Sequence, residues 1–167
     1  MSDSKDKRPY RLGVGLILFN RQGLVFTGMR ADTPGAWQMP QGGIDKDEEP
    51  NEAALRELGE ETGTHKAEII AESRDWLSYD LPPELSRKIW KGRFRGQKQK
   101  WFALMFKGQD SDIKLDAHQD EVEFVRWRWA PFDELPYLIV GFKRPLYEAV
   151  HAEFSPLAQR IREEGCP

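Results

Sequence analysis

A single cysteine, Cys166, in 167 residues excludes an internal disulfide framework and is compatible with a reducing compartment. Apolar runs such as Leu16 to Phe19 and Trp101 to Phe106 fall far short of the roughly 20 residues that span a bilayer. The amino terminus, MSDSKDKRPYR, has no apolar core of a secretion signal. No internal repeat or low-complexity segment is present, which excludes solenoid and fibrous architectures. The net charge of −3 is uninformative by itself, but its distribution is not. His65, His118 and His151 have no metal-ligand spacing, and no covalent nucleophile stands beside a base. These absences leave a cytoplasmic protein as the expectation, with no membrane or DNA partner. Oligomeric state is not legible, and a monomer is compatible with everything above.

What is present describes an ordinary folded chain, with 39% hydrophobic and 32% charged residues. One domain is expected over residues 10–164, after a frayed polar tail at 1–9. Arg11 to Phe19 and Leu24 to Met29 predict two strands joined by a hairpin turn at Asn20 to Gly23. Asp32 to Gly43, rich in Pro and Gly, predicts loop with a short extended piece at Trp37 to Met39. A helix is expected to open near Pro50 and stop at Gly63. AEII, DWLSY, WFALMF and VEFVRWRW predict further strands, with loops over Glu84 to Lys100 and Gln109 to Glu121. Phe142 to Ile161 has helical composition with a break or kink at Pro156. Strands on either side of a central helix, with a closing helix, imply an α/β (α+β) fold: a mixed β-sheet sandwiched between α-helices.

The central helix is unusual. From Asp45 to Glu61, seventeen residues carry eight acids and two bases. Glu57, Glu60 and Glu61 share an arc of about 100 degrees beside a core-like arc of Ala54, Leu55 and Leu58. Glu57 and Glu61 stand at a like-charge spacing that costs roughly 0.2–0.5 kcal/mol, near a helix C-terminus where the dipole also disfavours anions. A solvated acidic face is the ordinary explanation of such a cluster. A divalent cation reverses the energetics, because clustered carboxylates are the hard oxygen ligands it requires.

Spacing separates the two. Gly42 is followed after five residues by Glu48, after seven more by Arg56, and then by Glu57, Leu58, Gly59, Glu60, Glu61, Thr62 and Gly63. This resembles the Nudix box, G-x5-E-x7-R-E-U-x-E-E-x-G-U, departing only at its last apolar position, where Thr64 stands. The resemblance implies the Nudix fold and hydrolysis of a nucleoside diphosphate linked to another group. It also implies two or three Mg²⁺, Mn²⁺ or other divalent ions. By motif position Glu57 and Glu61 would be central metal ligands, Glu60 a ligand directly or through water, and Gly42 the source of a backbone carbonyl. Arg56 would orient a glutamate and Glu48 would brace the loop.

Segments outside the box, YRLGVG, PGAWQMPQGGI, DWLSYDLP, GQKQKWF, EFVRWRW and VGFKRPLY, resemble the bacterial RNA pyrophosphohydrolase and dinucleoside polyphosphate hydrolase branch of that family. That branch has a further acid, here Glu123, as metal ligand or general base, with Glu121 as the competing position. The apolar neighbours Val122, Phe124 and Val125 are expected to desolvate Glu123 and raise its pKa. Arg11, Arg30, Tyr79, Gln97, Val140, Phe142 and Lys143 match positions that contact phosphates or a base. The run from Arg87 to Lys100, with seven Lys or Arg, no acid, and the interleaved aromatics Trp90 and Phe94, suits phosphates and stacked bases; its ordinary reading is a solvated loop. The resemblance therefore implies 5'-triphosphorylated RNA and dinucleoside polyphosphates as substrates. A dedicated dinucleoside polyphosphate hydrolase is the first alternative, and a catalytically silent nucleotide-binding module the second.

Overall fold

The computed structural model describes residues 6–117 and 122–165. His118, Glu121 and Cys166 therefore lie outside the described residues. An eight-stranded mixed sheet forms the centre, built from β1 (Tyr10–Phe19), β2 (Leu24–Arg30), β3 (Trp37–Gln38), β4 (Gln41–Gly43), β5 (Ala67–Glu72), β6 (Leu77–Asp80), β7 (Gly96–Phe106) and β8 (Phe124–Pro131). Its order is β3-β2-β1-β7-β5; β4 pairs with β1, β6 with β7, and β8 with β2. Its axis is the parallel pair of β1 (Tyr10–Phe19) and β7 (Gly96–Phe106), in register from Tyr10↔Gly96 to Phe19↔Met105.

The last seven residues of β1 are buried, as a strand covered on both faces requires. Ile17 and Phe19 share one layer with Trp101, Ala103 and Met105, against Tyr147, Val150, Phe154 and Ile161 of α4 (Arg144–Glu164). Val14, Leu16 and Leu18 share the other with Phe102, Leu104 and Phe106, against Ala53, Ala54 and Leu58 of α1 (Pro50–Thr62). Each fully buried large apolar side chain stabilises by about 1.5–3 kcal/mol, so these layers outweigh the like-charge cost within α1 several times over.

The predicted hairpin forms, but β1 and β2 (Leu24–Arg30) pair only at its base, at Phe19↔Val25. Beyond it the strands splay. β4 (Gln41–Gly43), within the segment expected to be mostly loop, docks on β1 at Gly13 to Gly15. β3 (Trp37–Gln38) and β8 (Phe124–Pro131) pair with β2 instead. Tyr147 fixes this insertion from the far side, its hydroxyl accepting the Met39 backbone N–H at 2.8 Å within the core. Tyr147→Phe leaves that N–H buried without a partner and is expected to lower stability by about 1–3 kcal/mol, read from urea midpoints.

Other expectations need correction. The segment Glu84 to Lys100 is not a plain loop: α2 (Pro83–Lys88) and a tight turn at Ile89–Gly92 precede β7, which starts at Gly96 rather than Trp101. The polar residues Gln97 and Gln99 are buried within that strand, so its first half carries no hydrophobic signal. α4 runs unbroken through Pro156. The polar tail is tied down from Asp6 onward: Arg95 Nη1 donates to the Asp6 carbonyl, and Arg8 Nη1 donates to the carbonyls of Ser86 and Gly92. No helix among the described residues is long and apolar enough to cross a membrane.

Candidate active site

α1 starts with Glu49 and Glu52 as a reciprocal capping box, with Pro50 in its first turn, and stops at the left-handed Gly63. Its packed stripe is Ala53, Ala54, Glu57, Leu58, Glu61 and Thr62. The core arc expected to include Leu55 is therefore displaced, since Leu55 is exposed while Glu57 and Glu61 are 8% and 5% exposed. Hydrophobicity alone never selects two glutamates for a buried stripe. Thr64, at the box position that departs from an apolar residue, is also buried, and its hydroxyl accepts the Lys66 N–H at 3.1 Å.

Gly42 explains how Glu57 fits. A Cβ at Gly42 would fall on the Glu57 carboxyl group, so only glycine lets the carboxylate lie directly on β4. At Gly43 a Cβ would meet the Arg11 guanidinium in the same way. Arg56 organises the acids: it donates to Glu48 at 2.9 Å through both Nε and Nη2, and to the Gly43 carbonyl at 2.7 Å. Its Nη1 donates to Glu57 Oε1 at 2.9 Å and to Glu60 at 3.2 Å. Asp45 also stands 3.3 Å from the same guanidinium.

Burial pushes the Glu57 carboxyl up to about 7, opposed by its bond to Arg56 and reinforced by the neighbouring Glu60. Burial, followed by the charges of Glu57 and Glu123, holds Glu61 well above the usual carboxylate range, although the Gln41 N–H donates to it at 3.3 Å. Desolvation, with Arg30 next in size, lowers Lys143 to about 8.

These groups line a single cleft of about 890 Å³. Its lining includes Glu57, Glu60, Glu61, Glu123 and Gly42, together with Arg11, Arg30, Tyr79, Gln97, Val140, Phe142 and Lys143. Sheet register assembles part of this set. Arg11 stands opposite Gln97 across the parallel pair, and Gln97 opposite Tyr79 of β6 (Leu77–Asp80), so three residues distant in sequence form one row. Lys143 Nζ lies 5.1 Å from the Tyr79 ring centroid, and Phe142 packs on the same ring at 6.1 Å. Arg56 supports the acids from outside the lining.

Glu123 differs from expectation. It precedes β8 rather than lying within it, and its side chain is 40% exposed. Val122 and Val125 are themselves exposed, so they do not desolvate it. Its partner is Arg30, whose Nη1 donates to Glu123 Oε2 at 2.8 Å. The β2–β8 register slips between Met29 and Arg30, an irregularity of the kind that re-aims side chains at the edge of a sheet. Arg30 also pairs with Asp32.

The basic run from Arg87 to Lys100 does not line the cleft with its charges. Trp90 and Gln97 reach it, whereas the cations inside are Arg11, Arg30 and Lys143. Sequence reasoning assigned no role to Gln41 and Gln99, although both lie in quoted motifs. Gln99 accepts the Trp101 indole N–H at 3.0 Å and donates to Gln97 at 2.6 Å and Gln41 at 3.2 Å. Buried amides require satisfied partners, and this chain fixes the cleft floor.

The donor set fits a hard divalent cation. Two nearly buried carboxyls on one wall, each raised by burial and by the other acids, are what such an ion relieves. Among the described residues, no three His, Cys, Asp or Glu side chains already converge as a metal cage. Arginines hold Glu57, Glu60 and Glu123 instead.

Comparison with known proteins adds an independent finding. The NUDIX domain profile matches residues 9–153. The chain is 56% identical over 151 residues to the RNA pyrophosphohydrolase of Rhodospirillum rubrum, covering 90% of each protein. It is 51% identical over 167 residues to the RNA pyrophosphohydrolase of Gluconacetobacter diazotrophicus, covering 95% of this chain and 99% of the other. Among solved structures it resembles the E. coli dihydroneopterin triphosphate pyrophosphohydrolase, with TM-score 0.65 and 18% identity over 85% of this chain and 97% of that one. It also resembles a C. elegans Ap4A hydrolase in a binary complex, with TM-score 0.62 and 18% identity over 87% and 98% of the two chains. At these identities the structural likeness speaks for the fold alone.

Proposed function

This chain belongs to the Nudix family, and from that premise we propose that it is a metal-dependent RNA pyrophosphohydrolase acting in the cytoplasm. It removes pyrophosphate from the 5'-triphosphate end of RNA, leaves a 5'-monophosphate, and so promotes mRNA decay. It also cleaves diadenosine tetraphosphate to ATP and AMP. The observation that carries this reading is the cleft itself, which brings five acids, three cations and a row of aromatic and amide groups together. Relatives at 51–56% identity that are named RNA pyrophosphohydrolases support the choice of substrate.

Glu57, Glu60, Glu61 and Glu123, with the Gly42 carbonyl, would hold two or three Mg²⁺ or Mn²⁺ ions. When bound, such ions neutralise charge between carboxylates and phosphates and make a water more acidic. The chain's own groups supply position and proton transfer. Arg56 orients Glu57 and Glu60, and Glu48 holds Arg56. Arg11, Arg30 and Lys143 bind the phosphates, while Tyr79, Val140 and Phe142 pack against a base and Gln97 donates or accepts a hydrogen bond. Glu123 binds metal or takes a proton from the attacking water as general base. Water adds across one phosphoanhydride P–O bond: the attacked phosphorus gains the water oxygen, the bridging P–O bond breaks, and triphosphorylated RNA yields pyrophosphate and 5'-monophosphate RNA.

The test is a product assay with Mg²⁺ on 5'-triphosphorylated RNA beside diadenosine tetraphosphate. Pyrophosphate with 5'-monophosphate RNA, and ATP with AMP, are the expected products. Turnover of the dinucleotide alone makes the protein a dedicated dinucleoside polyphosphate hydrolase, and binding without any phosphate product makes it a silent module. In the same assay Glu123→Gln is expected to abolish turnover. Loss with Glu121→Gln while Glu123→Gln stays active moves the role to Glu121.

A further inference from the structure

Trp90 and Lys91 are consecutive non-glycine residues in the left-handed region, with φ of 50° and 57°. Each such residue costs roughly 1–2 kcal/mol, so the surroundings must enforce the turn. They do: Arg8 holds the Ser86 and Gly92 carbonyls, the Arg11 guanidinium stands 5.0 Å from the Trp90 ring, and Phe94 meets that ring edge-on at 6.1 Å. The result places Ile89 and Trp90 in the lining of the cleft and leaves Lys91 exposed beside them.

Three cations flank this turn in the chain. Lys88, Lys91 and Arg93 are all exposed, within two or three residues of Trp90. None of the three side chains has an ionic or hydrogen-bonded partner among the described residues. Of the other bases of the same run, Arg95 pairs with Asp80, Lys100 lies near Glu72 and Arg87 Nε donates to the Pro83 carbonyl, while Lys98 is exposed on β7. The nearest acid in sequence, Glu84, stands one helical turn before Lys88 on α2 but forms no ion pair with it. In a chain of net charge −3, three unpaired cations therefore flank a strained turn whose Ile89 and Trp90 line the cleft.

We propose that Lys88, Lys91 and Arg93 form a backbone track for the RNA chain leaving the cleft, making them determinants of preference for RNA over dinucleoside polyphosphates. The inference rests on the RNA reading above and deepens it. A dinucleoside polyphosphate presents no sugar-phosphate chain beyond its terminal nucleosides, so it has nothing to lay on the track. An RNA of several nucleotides does, and each phosphate it neutralises adds a salt-dependent contribution.

The test compares wild type with the Lys88→Gln, Lys91→Gln, Arg93→Gln triple variant, on 5'-triphosphorylated oligoribonucleotides of one to eight nucleotides and on diadenosine tetraphosphate. Wild-type kcat/KM is expected to rise with length. The variant should lose about tenfold on the longest substrates and nothing on the dinucleotide. Its slope of log(kcat/KM) against log(salt) should be shallower by about 2, from roughly 0.7 for each of three lost phosphate contacts. A variant that keeps the length dependence, or loses equally on both substrate classes, overturns the track. Wild-type protein that ignores triphosphorylated RNA of every length overturns instead the RNA reading on which the track depends.

Discussion

Glu57→Gln is expected to lower kcat/KM on 5'-triphosphorylated RNA by about three orders of magnitude, equivalent to about 4 kcal/mol of transition-state stabilisation. Gln keeps the shape and one oxygen to accept the Arg56 Nη1 bond, now 2.9 Å long. It removes the negative charge that a divalent ion needs from the wall of the cleft. The same substitution should leave the fold, in chelator, at least as stable as wild type. The wild-type carboxyl is raised by burial to about 7, above its ordinary 4.5. Between those values the folded chain holds a proton that the unfolded chain has released, so wild-type stability falls as pH rises through this window, and the full penalty stands above pH 7. Gln carries no such penalty, and its advantage should be visible at pH 8 and vanish near pH 4.5. Steady-state kinetics with Mg²⁺, beside urea midpoints in chelator at both pH values, check the pair of effects. A variant retaining a tenth of wild-type activity would falsify the ligand role.

Arg56→Ala should cost both stability and turnover. The guanidinium serves Glu48, Glu57, Glu60 and the Gly43 carbonyl together. Its loss leaves a buried carboxylate beside Glu61 without a counter-charge and strands a carbonyl. Breaking a fully buried pair costs about 3–5 kcal/mol. The Arg56 side chain is 27% exposed, so water recovers part of that, and about 2–3 kcal/mol is expected. Turnover should fall roughly 10–100-fold, the usual effect of removing a group that orients metal ligands. Arg56→Lys restores the charge without the planar fork and should recover stability more than kcat. Added Mg²⁺ should raise the melting temperature of Arg56→Ala more than that of wild type, because it supplies positive charge among the same acids. Equal melting temperatures for Arg56→Ala and wild type in chelator would remove Arg56 from this role.

Local chemistry made much of the molecule legible. Pro50 and Gly63 mark both ends of α1 correctly, because capping and left-handed glycine act within a few residues. The hairpin and the two-sided burial of β1 follow from turn chemistry and a continuous apolar run. Elsewhere, long-range pairing overrode local pattern. Gln41 to Gly43 reads as loop, yet it forms β4 because β1 offers an open edge once β2 splays away. Gln97 and Gln99 carry no strand signal, yet they are buried because neighbouring amides satisfy one another.

The site divides in the same way. The spacing of Gly42, Glu48, Arg56, Glu57, Glu60 and Glu61 by itself determined the family resemblance, and one helical turn was enough to cluster the acids. Only the tertiary structure decided that Glu57 and Glu61 are buried while Leu55 is exposed, since helical periodicity fixes neighbours but not which arc faces the sheet. It also decided that Arg11, Gln97 and Tyr79 form one row, which depends on the register of a parallel pair closed across the whole chain. Finally, it separated the cations inside the cleft from the basic run outside, because charge in a sequence has sign and spacing but no direction until strands set it.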